Sequence, residues 1–214
     1  MQKKVAIIGA GLAGCECALL LARAGIGVEL FEQKPIFHSE AHVSPLFAEL
    51  VCSNSLRSKE LTSGIGLLKQ EMRDLHSPFM EAADAFSVPA DKALAVDRQA
   101  FSRYLTEQIY AHPCIHVTTK CVESLSDPLF SDPDFACCVL AAGPLAAKSL
   151  SESLASLLGM EHCYFYDAIA PIVWTHSLDN TIVFRASRYA CENGGEGQKN
   201  ALTTEAGGAQ TEDP

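Results

Sequence analysis

Apolar positions along the 214-residue chain follow two periods, and the period changes mark the elements. Residues 4–8 end in four consecutive apolar residues, Val5 to Ile8, and predict a buried strand. A helical pattern takes over across residues 13–24 and stops at Gly25, and residues 27–32 form a second strand. This strand–helix–strand spacing predicts a parallel sheet. Residues 33–60 lose all period and contain Pro35, Pro45 and many Ser and Asn residues; a loop of that length inside a domain usually carries function. Thr62 or Ser63 then caps a predicted helix running to about Leu75, its apolar face drawn from Leu67, Leu68, Met72 and Leu75.

A shorter helix is predicted over residues 78–86 and extended chain over 88–96. Asp97 caps a helix over 98–110, with Phe101, Leu105 and Ile109 on one face. Residues 115–124 predict one or two strands. Residues 136–141 are a continuous apolar run, predicted as a buried strand, that meets Ala142-Gly143-Pro144. A helix over 146–158 and a strand-like stretch over 163–174 follow, with no internal repeat. After Tyr189 the composition breaks. Residues 190–214 hold one leucine, no aromatic residue and no periodicity, too little apolar area to offset ordering entropy, so they are expected to be disordered.

The turn between the first strand and helix reads Gly9-Ala10-Gly11-Leu12-Ala13-Gly14, a Gly-x-Gly-x-x-Gly fingerprint in strand-then-helix context. Gly9 permits the tight turn, Gly11 lets backbone approach a pyrophosphate, and Gly14 lets helix and strand pack closely. The amino end of the helix then faces the phosphates. Glu32 closes the second strand eighteen residues after Gly14, near the spacing at which an acid accepts hydrogen bonds from ribose hydroxyls. Gly9, Ala10, Gly11, Leu12, Ala13, Gly14 and Glu32 are therefore the candidate dinucleotide-binding residues. Gly143, in a turn after a buried strand, is a further candidate for contact with the bound group; a simple strand-end turn reads equally well there.

Composition changes this picture little. The 48% hydrophobic content supports a real core, and no apolar run is long enough to span a bilayer. Nine cysteines with no secretory signal or Cys-x-x-Cys pair point to reduced thiols in the cytosol; Cys15, Cys17, Cys137 and Cys138 read as small core residues. The net charge of −10 argues against a strongly basic nucleic-acid surface, but a local basic patch remains compatible with it. The seven histidines show no metal spacing. Arg57, Arg98, Arg185 and Arg188 suit either phosphate contacts or surface pairs, and Tyr164, Phe165 and Tyr166 read as core more than as a base-stacking platform.

The long loop contains Ala48-Glu49-Leu50-Val51-Cys52-Ser53-Asn54-Ser55-Leu56-Arg57. A cysteine among polar residues and near a cation favours thiolate, the nucleophilic form; a free cysteine packed under a loop is the plainer alternative. This stretch, with the fingerprint, Gly66-Leu67-Leu68-Lys69, Val88-Pro89-Ala90, Ala93 to Arg98, Tyr164 to Val173 and Phe184 to Tyr189, resembles the folate- and FAD-dependent tRNA (uracil-5-)-methyltransferases. The resemblance covers nearly all of residues 4–189.

It implies an α/β, Rossmann-like FAD-binding domain with a parallel sheet, of the glutathione-reductase-like kind, over residues 1–160 and incomplete. Residues 161–189 then start a second domain, and 190–214 form a disordered or non-homologous tail. It further implies a cytoplasmic enzyme that methylates C5 of a T-loop uridine in tRNA. FAD would be its cofactor, with 5,10-methylenetetrahydrofolate and NAD(P)H as co-substrates, and no metal or membrane. Cys52 matches the cysteine of the family's Val-Cys-Ser-Asn-Ser motif and is the candidate catalytic residue, as nucleophile, as general base or as a flavin-protecting thiol. The family's Leu-Asn-Cys-Pro-Met segment is missing after Tyr189, and Val43 stands where the family often has a second histidine after His42. The chain is accordingly expected to be the N-terminal portion of such an enzyme, a truncated form that binds FAD poorly and lacks methyltransferase activity of its own. A non-catalytic fragment of an interrupted gene and a flavin-dependent wobble-uridine tRNA modification protein are the other open readings.

Overall fold

Val5, Ala6, Ile7 and Ile8 lie in the middle of a four-stranded parallel sheet, and their alternation builds the two halves of the core. The structure, a computed structural model, describes residues 3–160, 175–179 and 181–183. The chain divides into two units, Met1–Ile172 and Val173–Pro214. In the second unit the described residues form a short 3-10 turn, Thr175–Ser177, and a turn in which Asp179 accepts the Thr181 N–H at 2.9 Å. The predicted strand over 163–174 and the predicted tail over 190–214 lie outside the described residues.

The first unit runs β1 (Lys4–Ile8), α1 (Leu12–Arg23), β2 (Val28–Glu32), β3 (Ser55–Ser58), α2 (Gly64–Asp74), α3 (Pro78–Ala85), β4 (Ser87–Val88), β5 (Ala93–Val96), α4 (Arg98–Ala111), β6 (Ile115–Thr119), β7 (Phe135–Leu140) and α5 (Lys148–Leu158). The sheet order is β6-β2-β1-β7, parallel throughout, as the strand–helix–strand spacing predicts. On one face Val5 and Ile7 join Cys15, Ala18, Leu19, Leu30, Phe101, Leu105 and Ile109. On the other, Ala6 and Ile8 join Phe31, Val122, Leu129 and Leu150. Asp97 caps α4 by accepting the Gln99 and Ala100 N–H groups, both at 3.0 Å, and the Phe101–Leu105–Ile109 stripe is fully buried. Each such side chain contributes about 2 kcal/mol of apolar burial.

Three features depart from the sequence expectation. A second, antiparallel sheet, β3-β5-β4, draws one strand out of the stretch expected to be irregular. Ser63 does cap α2, accepting the Gly66 N–H at 3.1 Å, yet Leu67, Leu68 and Leu75 are exposed. The face of α2 that packs carries Gly66 and Lys69, with Met72 the one member of the predicted stripe that meets the core. A Cβ on Gly66 would fall 1.9 Å from the Glu60 carbonyl oxygen, and Lys69 buries its stem while its ammonium donates to the Ser58 carbonyl at 3.0 Å. Finally, β7 is an edge strand of the described sheet and only half-buried; Cys137 is exposed rather than a core residue. Cys15 is fully buried, as expected.

Candidate functional site

The turn after β1 holds its shape because side chains are absent from it. Gly9 has φ +101°, and a Cβ there would lie 2.7 Å from the Ala141 carbonyl oxygen, where the chain leaves β7. A Cβ on Gly14 would lie 1.8 Å from the Gly9 carbonyl oxygen, so only glycine lets α1 sit this close to the turn. At Gly11 the same atom would meet nothing within 4 Å. The space beside Gly11 opens at the amino end of α1, where Gly11 is the cap residue and makes no side-chain hydrogen bond.

This space belongs to a cleft at the carboxyl ends of β1, β2 and β7. Gly9, Ala10, Gly11, Glu32, Lys34, His42, Glu49, Lys120, Ala141 and Ala142 are among its lining residues. Glu32 is buried; its Oε2 accepts the Ala10 N–H at 2.7 Å and its Oε1 the Lys34 N–H at 2.9 Å. A carboxylate has about four acceptor sites, so two remain for a ligand in the cleft. Burial and, after it, the Lys34 cation hold the His42 imidazole below its usual value, which keeps it neutral near pH 7.

The fingerprint residues thus divide by role. Gly9, Ala10 and Gly11 line the cleft, whereas Gly14 is buried beneath it, Leu12 is half-buried against the core and Ala13 is exposed. Gly143 has φ +71° and is exposed, just outside the lining residues.

Cys52 lies elsewhere. It is half-buried in a separate groove lined also by Ser53, Asn54, Val88, Val96, Asp97 and Arg98. The loop between the two places is fixed at several points. Phe47 N–H donates to Thr106 Oγ1 at 2.9 Å, Ser102 Oγ to the Ala48 carbonyl at 3.1 Å, and Ala48 N–H to the Ala10 carbonyl at 2.9 Å. Ala48 takes a left-handed φ of +49°, an unfavourable conformation for alanine that these bonds hold in place. Arg98 Nη1 reaches the Leu50 carbonyl at 3.4 Å. The fingerprint turn and the cysteine loop are therefore hydrogen-bonded neighbours, though they face different spaces. Sequence reasoning left Lys34, Glu49 and Lys120 unassigned as cleft residues. The available signal was a lone acid, Glu49, inside the apolar run Phe47 to Val51, and a lysine two positions past Glu32.

A profile of the family described as glucose inhibited division protein A matches residues 4–206. A protein of Lawsonia intracellularis named methylenetetrahydrofolate–tRNA-(uracil-5-)-methyltransferase TrmFO is 57% identical over 193 residues, which is 90% of this chain and 42% of that protein. A protein of the same name from Nitratidesulfovibrio vulgaris strain Hildenborough is 59% identical over 192 residues, 90% of this chain and 40% of that one. The chain spans about two fifths of the length of these curated relatives. Among solved structures, the GidA-related protein from Thermus thermophilus matches 73% of this chain and 69% of its own at 19% identity, with a TM-score of 0.44. The likeness to the tRNA (uracil-5-)-methyltransferases read from the motifs is thereby borne out.

Proposed function

We propose, for a chain that belongs to the glucose-inhibited division protein A family, that the cleft at Gly9–Gly14 holds the ADP end of FAD and that the protein serves tRNA uridine methylation. The reading is specific: C5 of a T-loop uridine is methylated in the cytoplasm, with 5,10-methylenetetrahydrofolate as carbon source and NAD(P)H as reductant. The observation that carries it is Glu32, anchored against the glycine turn with acceptor sites left for ribose hydroxyls. The likeness to proteins named as folate-dependent tRNA methyltransferases supports the rest.

The residues present fit such a cofactor. Gly11 leaves room for close backbone approach, and the N–H groups of Leu12, Ala13 and Gly14 at the start of α1 suit a pyrophosphate. In this reading residues 1–160 form the cofactor-binding part, Gly143 approaches the cofactor beyond β7, residues 161–189 begin a second domain and 190–214 are a tail. FAD, when bound, supplies the electrons that reduce the transferred one-carbon unit to methyl.

Cys52 supplies a thiol to the same reaction. Uracil C5 is a poor nucleophile; a thiolate adding at C6 makes it enolate-like, and a base must then remove the C5 proton. Transfer RNA carrying 5-fluorouridine separates the two roles, because only the nucleophilic cysteine forms a stable adduct at C6. The decisive experiment deletes the gene. T-loop uridine C5 methylation should vanish and return with the wild-type gene, but not with Cys52→Ala. Unchanged tRNA in the deletion strain refutes the reading.

A further inference from the structure

Lys34 is a buried cation in the cleft with more hydrogen-bonding capacity than the protein uses. Its side chain is 6% exposed. Its ammonium donates to the Leu46 carbonyl and lies 3.7 Å from Glu49 Oε2. A closed ammonium–carboxylate pair sits at about 2.8 Å. Glu49 is held through its other oxygen: its Oε1 accepts the Val43 N–H at 3.2 Å and the Ser44 N–H at 3.1 Å. Glu49 Oε2 is buried and accepts no hydrogen bond among the described residues. An ammonium has three donors, and the Leu46 carbonyl takes one.

The surroundings select what the remaining donors suit. The cleft also presents the amino end of α1 at Gly11, favourable to an anion, and the Lys120 side chain, whose ammonium pairs with Asp127 at 2.7 Å. Glu32, at the same cleft, favours a hydroxyl donor. The Lys34 N–H bond to Glu32 Oε1 at 2.9 Å ties the Lys34 backbone to the same cleft, and the Leu46 carbonyl holds its ammonium.

We propose that Lys34 is an anion-binding residue of this cleft, contacting a phosphate of the bound dinucleotide, with Glu49 as the counter-ion that makes its burial tolerable. The inference rests on the dinucleotide reading above and goes beyond it by assigning a phosphate contact outside the glycine turn. Glu49 alone does not fill the role, since its negative charge would repel a phosphate.

The test compares wild type, Lys34→Met and the double variant Lys34→Met/Glu49→Gln, titrated calorimetrically with FAD, ADP, inorganic pyrophosphate and adenosine. Lys34→Met strands a buried carboxylate and should lower thermal stability, whereas the double variant removes both charges and should recover it. Despite that recovery, the double variant should bind ADP, FAD and pyrophosphate at least tenfold more weakly than wild type, with adenosine affinity unchanged. A double variant that binds ADP and pyrophosphate like wild type overturns the inference alone. So does equal weakening toward adenosine, which marks a structural role. Wild-type protein that takes up neither FAD nor ADP overturns the dinucleotide reading, and this inference with it.

Discussion

Glu32 Oε2 accepts the Ala10 N–H at 2.7 Å, so the end of β2 is bonded to the glycine turn that follows β1. The other carboxylate oxygen takes the Lys34 N–H at 2.9 Å. Glu32→Ala removes the acceptor of two N–H groups at once and should cost about 3 kcal/mol in urea unfolding, since buried unmet donors cost about 1–3 kcal/mol each. Glu32→Gln keeps one acceptor and should cost about half of that. A Glu32→Ala protein as stable as wild type contradicts the anchoring role.

The glycines of the turn separate folding from binding. Gly14→Ala drives a methyl group into the Gly9 carbonyl and should destabilise the protein by about 4 kcal/mol or more. Gly11→Ala meets open space and should cost about 1 kcal/mol or less, as for alanine at a helix cap. The second variant should still lose ADP affinity at least tenfold, because its methyl group occupies the approach to the turn. Melting curves and ADP titrations of the two variants check the contrast.

Thiol reactivity should follow burial. Burial, then the nearby Glu32 charge, pushes the Cys15 thiol up to about 12, so it carries almost no thiolate at pH 8. Cys137 is exposed. Alkylation with iodoacetamide under native conditions, mapped by mass spectrometry, should label Cys137 early and Cys15 only after denaturation. Native labelling of Cys15 is the contrary result.

Acid should weaken the fold through specific pairs. The Lys120 ammonium, 2.7 Å from Asp127, holds that carboxyl below its usual range, and Arg23 does the same for Glu81. A lowered carboxyl pKa stabilises the folded state above the unfolded value, near 4, and that gain is lost as pH falls through the lowered folded value. Asp127→Asn should therefore cost about 1 kcal/mol or less at pH 7 and less than that at pH 2.5, and added salt should shrink the difference. Unfolding midpoints at the two pH values test this.

The parts of the fold legible in the sequence are those whose signals are local. The glycine turn, the two strands around it and the Asp97-capped helix announce themselves within a few residues each. The β3-β5-β4 sheet does not, because Ser55-Leu56-Arg57-Ser58 has no period of its own and becomes a strand by pairing with residues beyond α3. Leu67 and Leu68 mislead for a related reason. Helical spacing reports that an apolar stripe exists, whereas close contact between Gly66 and Glu60 decides which side packs. An apolar run such as Phe135 to Leu140 likewise cannot tell a central strand from an edge. At the cleft, Gly9, Gly11 and Glu32 follow from a spacing rule. Lys34 and Glu49 acquire meaning only once the loop folds back and brings them within 3.7 Å.

The flanking of β1 carries a consequence for synthesis. Its partner on one side, β2, is complete at Glu32, but its partner on the other, β7, begins only at Phe135. A nascent chain emerging from its amino end can form the glycine turn and attach Glu32 to it long before Ala141 arrives to close the opposite wall. Throughout that interval one edge of β1 and the apolar Ala6–Ile8 face stay open to water and to other chains. The half-built cleft thus stays uncovered until β7 has been made.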